Sequence, residues 1–135
     1  MKAKKKRKIK NPRKSLIKSA DFYWGRVVRG RDKNKCCFCG EPGNQPHHIN
    51  RRGRFSTRWV VLNGVTLCYR HHFRHTWIGS NPDLYLDMIY AKIGKETYKK
   101  LKRESENIFK VSLEGLKIIR DKLKIQAGES TGIYD

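Results

Sequence analysis

The chain has 135 residues, with 32 Lys and Arg against 12 Asp and Glu, for a formal net charge of +20. That length allows one domain with a tail at each end, and no apolar run approaches the roughly 18 residues of a membrane span or follows the basic N-terminus as a signal peptide would. The expectation is a soluble, cytoplasmic protein that meets a polyanion. Nucleic acid is favoured over a membrane surface, because no amphipathic lipid-binding stretch accompanies the charge.

Residues 1–14 hold nine Lys and Arg and no acid, leaving a net +11 on the remainder. Self-repulsion and the shortage of apolar residues predict a disordered arm over residues 1–18. It reads either as a phosphate-backbone arm or as a solubilising or targeting tail. Ser19 or Asp21 starts a short helix to about Arg31, with Phe22, Val27 and Val28 turned inward. Residues 30–35 read as a loop into a Cys-rich knuckle ending at Gly40, and residues 41–46 as a second turn-rich loop. A short extended piece covers His47-His48-Ile49, followed by a polar loop over 51–58. Trp59-Val60-Val61-Leu62 is too short for periodicity to decide its state. Val65-Thr66-Leu67 reads as a strand, with a helix beginning near Cys68 or Arg70.

Asn81-Pro82-Asp83 is a helix start, and that helix runs to Ile93 with Leu84, Met88 and Ile89 inward and Gly94 as its stop. Lys95 to Ser105 forms another helix burying Tyr98 and Leu101. A last helix covers Ser112 to Ile125 through Leu113, Leu116, Ile119 and Leu123. The expected organisation is therefore the arm, a core over 19–80, a helical extension over 81–125 packing on it, and a loose tail over 126–135.

Three of the four cysteines fall within four positions (Cys36, Cys37, Cys39), which suits metal ligation in a reducing compartment better than structural disulfides. Cys36-x-x-Cys39 and Cys68-x-x-His71 make two ligand pairs at the spacing that wraps one tetrahedral zinc ion. Cys37 is left as a small buried residue or as a replacement for Cys36. Four protein ligands close the coordination sphere, so this zinc is expected to be structural and any chemistry to lie elsewhere.

If His71 completes that site, His72 points about 100° round the helix and can meet the His47-His48 strand, with Asn63 between them in sequence. The run His47-His48-Ile49, then Asn63-Gly64-Val65-Thr66-Leu67-Cys68-Tyr69-Arg70-His71-His72, resembles the signature of the HNH (His-Asn-His, ββα-metal) endonucleases of the zinc-knuckle type. Cys36-x-x-Cys39 supplies the other half of the knuckle, and the likeness spans roughly Arg31 to His75. In layout the chain is similar to small phage-encoded members. The resemblance implies an α+β fold: a small ββα-metal core, a structural zinc knuckle and mainly helical flanks.

It also implies roles. His48 would be the general base, and Asn63 would hold the His48 strand and orient its imidazole. His47 and His72 would bind the catalytic divalent metal, with His75 as an alternative ligand or phosphate contact. A division with His71 and His75 on that metal also stays open. Magnesium or manganese is expected there; two imidazoles without a carboxylate make a softer site that also admits nickel or cobalt. The implied products are a 5′-phosphate and a 3′-hydroxyl.

Arg51, Arg52, Arg54 and Arg58 read as a phosphate clamp on DNA or as a solvated loop. Trp59 and Trp77 read as core rather than base-stacking platforms. DNA is the expected partner, with a second copy of the chain or phage replication, recombination or packaging proteins as further candidates. The alternatives are a non-catalytic zinc-dependent nucleic-acid-binding protein, which needs no base beside a metal site, and a ribosome- or RNA-associated protein.

Overall fold

The computed structural model describes Lys4 and residues 11–73 and 76–128. Its first helix, α1, spans Pro12–Arg31 and so begins well before Ser19. The Asn11 side chain accepts hydrogen bonds from the amides of Arg13 (3.0 Å) and Lys14 (3.3 Å), and Pro12 follows where a missing N–H costs nothing. Leu16, Ala20, Trp24 and Val28, four residues apart, form the buried face. Residues 12–18, expected in the arm, thus belong to the helix because Leu16 extends that face. Phe22 falls off it and is 53% exposed, against the inward position expected of it.

Two strands, β1 (Gln45–His48) and β2 (Gly64–Leu67), pair antiparallel with His48 opposite Gly64 and Gln45 opposite Leu67. Between them lie a one-turn helix, α2 (Phe55–Arg58), where a loop was expected, and a 3-10 turn at Val61–Asn63. After β2 come α3 (Tyr69–His72), α4 (Thr76–Ser80), α5 (Pro82–Ile93), α6 (Lys95–Ser105) and α7 (Leu113–Gln126). Gly94, at φ +86°, makes the left-handed break between α5 and α6. The fold is mixed, mainly helical with one small sheet, in keeping with an α+β class. No helix among the described residues is long and apolar enough to cross a membrane.

Two apolar clusters hold these elements. In one, Leu116 and Leu123 of α7 meet the buried face of α1 and Trp59. In the other, Met88 and Ile89 of α5 cover Cys36, Val65 and Leu67. Leu84 and Leu113, both expected inward, are exposed at the first turns of their helices.

Asp32, which caps α1, joins the two clusters. Its buried carboxylate accepts from Arg31 Nε (2.9 Å), Lys92 Nζ (2.8 Å) and the Thr66 amide (2.8 Å), tying α1 to α5 and β2. Burial alone would raise its pKa and oppose ionisation, but the bonds from Arg31, Lys92 and Thr66 outweigh it and hold the carboxyl well below the usual range. Asp32→Ala should cost about 3 kcal/mol in urea unfolding at neutral pH, because the Thr66 amide loses its acceptor inside the fold. A depressed pKa contributes stability above the unfolded-state value, so the gap between parent and variant should narrow as pH falls below about 4.

Candidate metal centre and histidine cleft

Cys36 and Cys39 sit on a tight turn closed by hydrogen bonds from Cys36 N to Glu41 O (2.8 Å) and from Gly40 N to Cys36 O (2.9 Å), with Gly40 at φ +73°. Cys68 stands at the N-terminus of α3, and His71 follows within that helix. The four ligand atoms lie within 4.8 Å of one another, and this group can hold one metal ion. Cys39 Sγ is 3.9 Å from Cys68 Sγ, and His71 Nδ1 is 3.6 Å from Cys36 Sγ and 3.0 Å from Cys68 Sγ. Around a tetrahedral zinc the corresponding edges are about 3.8 Å for S···S and about 3.6 Å for S···N, which the Cys39–Cys68 and Cys36–His71 distances match, while the Cys68–His71 edge is shorter. Burial opposes ionisation of Cys36, but the backbone amides of Cys39, Cys68 and Phe38 more than offset it and pull its pKa down, towards the thiolate that a metal needs.

Cys37 turns away from the group, with its sulfur 3.6 Å from Asp32 Oδ2. It takes the role of a packed residue and does not replace Cys36 in the ligand group. Phe38 and Trp77 meet the His71 ring edge-on at 4.6 and 4.7 Å, so Trp77 packs beside the cluster. Trp59 is buried in the α1–α7 cluster.

On the other side of α3, His47, His48 and His72 line one cleft of about 620 Å³ together with Asp21, Trp24, Arg51, Arg52 and Tyr85. The His47 and His72 rings are 5.5 Å apart, and His47 Nε2 is 2.9 Å from the Tyr85 hydroxyl. Burial pushes the Tyr85 phenol up, so it stays protonated. His75 lies outside the described residues.

His48 is held from two sides. Its ring stacks on the Trp24 indole at 3.8 Å, nearly parallel, and its Nε2 is 2.9 Å from the Arg58 carbonyl. A carbonyl only accepts, so Nε2 carries the proton. Burial lowers the His48 pKa to about 4, so at neutral pH the ring is uncharged and Nδ1 keeps its lone pair. Trp24 reaches this place because residue 64 is glycine: a Cβ there would stand 2.5 Å from Trp24 Cζ2 and 2.7 Å from Val28 Cγ2. The Trp24 Nε1–H donates to Val60 O at 2.9 Å.

Asn63 is buried, but its hydrogen bonds avoid the imidazole. Its Oδ1 accepts from Asn50 N (2.9 Å) and Asn50 Nδ2 (3.0 Å), and its Nδ2 donates to Thr57 O (3.1 Å). It therefore ties down the chain just after β1, whereas the Arg58 carbonyl orients the His48 ring. The four arginines also divide. Arg51, Arg52 and Arg54 are exposed, with no ion pair among the described residues. The Arg58 guanidinium is engaged by Asp21 through Nη2 (2.6 Å) and Nε (3.0 Å).

Trp24, Asp21 and Tyr85 are the cleft residues that sequence reasoning missed. Asp21 carried a signal, being the first acid in a long basic stretch. Trp24 lies on the four-residue repeat of α1, which the expected inward set of Phe22, Val27 and Val28 does not follow. Tyr85 had no local signal, since its contact with His47 exists only after α5 packs.

Cys39→Ser should lose the metal and lower the thermal midpoint by more than about 10 °C, because the folded domain gives up its binding energy. Cys37→Ser should retain the metal stoichiometry of the parent, as read by elemental analysis beside the melting curve. No protein-family model, curated protein or solved structure matches this chain.

Proposed function

We propose that this protein is a metal-dependent DNA endonuclease of the HNH type, stabilised by a structural zinc ion on Cys36, Cys39, Cys68 and His71. The carrying observation is His48: a neutral imidazole, fixed by Trp24 and the Arg58 carbonyl, in a cleft shared with His47, His72 and two exposed arginines that form no ion pair among the described residues. A merely structural histidine has no need of that company. Four ligands fill the coordination sphere of the zinc, which leaves the reaction to the cleft.

His47 and His72 would hold a single divalent cation, and their ring spacing suits two imidazoles on one ion. When bound, such a cation supplies Lewis-acid stabilisation of the phosphate and of the departing oxygen. The Tyr85 hydroxyl at His47 Nε2 fixes the orientation of that ring, as hydrogen bonds to the second nitrogen of ligand histidines do. His48 Nδ1 takes a proton from water as its oxygen bonds to phosphorus, the bond from phosphorus to the 3′ oxygen breaks, and that oxygen takes a proton from solvent water. The products are a 5′-phosphate and a 3′-hydroxyl. Arg51 and Arg52 clamp neighbouring phosphates, while Arg58, held by Asp21, serves the site through its carbonyl.

Supercoiled plasmid should be nicked or linearised with magnesium or manganese. His48→Ala should slow cutting by about 10²-fold or more at matched zinc content and melting temperature. Full activity in that variant would remove His48 from the reaction.

A further inference from the structure

A second groove, of about 620 Å³, lies on the other side of the Arg51–Arg54 loop and has no part in the chemistry above. Arg13, Arg54 and Lys110 line it, with Glu106 as its one acid and Ile108 and Phe109 as apolar surface. None of the three cations is in an ion pair among the described residues. Arg13 is steadied by donating one N–H to Val111 O at 2.7 Å, which leaves most of its guanidinium fork unused. Ile108 (90% exposed) and Phe109 (46% exposed) place apolar surface beside these charges.

The two grooves are joined. Arg51 and Arg52 line the histidine cleft, and Gly53 and Arg54, next in the chain, line the second groove. One exposed loop therefore presents to both grooves guanidinium groups that form no ion pair among the described residues. The basic segment 1–10, with seven Lys and Arg, joins α1 just before Arg13. Positive charge thus continues from the cleft, across the loop, to the root of that segment.

We propose that this second groove binds the DNA backbone to one side of the scissile phosphate, so that the substrate runs from the histidine cleft across Arg51–Arg54 towards the first turn of α1. The proposal rests on the nuclease reading for its partner. Arg13, Arg54 and Lys110 neutralise phosphates, and Ile108 and Phe109 lie against sugar faces or base edges. Such contacts position the duplex and add affinity without reading its sequence.

The test uses the zinc-loaded full chain, a short duplex and no added divalent metal. Binding is followed by fluorescence anisotropy across a salt series, and the contact region by hydroxyl-radical footprinting. Arg54→Ala/Lys110→Ala, both exposed side chains, should flatten the slope of log K against log salt by about two units. The footprint should shorten on one side only. Arg13→Ala added to that pair should shorten it further, with the melting temperature as a check on folding. An unchanged slope and footprint in a parent that binds DNA would overturn this proposal and leave the nuclease reading standing. The same holds for a footprint that weakens evenly at both ends, and for one left intact as an acidic protein partner would predict. A parent that fails to bind DNA would overturn both.

Discussion

The arrangement depends first on the three sulfurs and one imidazole that converge between the knuckle and α3. Cys36 and Cys39 precede β1, whereas Cys68 and His71 follow β2. A metal bound there closes a loop containing both strands, the arginine loop and α2. Two four-residue strands are too little sheet to persist alone in water. Closing the loop, together with the Asp32 carboxylate on Thr66, gives the hairpin a fixed place against α1 and α5. With His71 turned to the cluster, the next residue on the helix is aimed about 100° away, towards β1.

The cleft draws on a different economy. A histidine that is to accept a proton at neutral pH must stay uncharged, correctly turned and open at one nitrogen. Desolvation between α1 and β1 provides the first condition, and the Arg58 carbonyl the second. Trp24 keeps the ring from swinging, and the absence of a Cβ at Gly64 gives that indole room. The Asp21–Arg58 pair holds the carbonyl-bearing segment against α1. In the proposed nuclease these are positioning contacts, drawn from α1, α2 and β2.

The sequence made the ligand set readable because metal chemistry is local: two-residue gaps recur at both half-sites, and His72 follows His71 directly. Helices α5 and α6 were readable for a similar reason, with Asn81, Pro82 and Gly94 as punctuation. The start of α1 was obscured by composition, since a run of lysines masked both the Asn11 cap and the Leu16 end of the buried face. What orients the histidines was not readable at all. The carbonyl on His48 belongs to a residue whose side chain looked like a phosphate clamp, and the hydroxyl on His47 comes from a helix far along the chain. Tertiary packing supplies those partners, and no periodicity announces them.

X-ray absorption at the zinc edge, on protein carrying one zinc per chain, tests the proposed division between a structural ion and a reactive cleft most directly. The account predicts about three sulfur ligands near 2.3 Å and one nitrogen near 2.0 Å. A shell of nitrogen and oxygen with little sulfur would put the tightly held metal in the histidine cleft and contradict it.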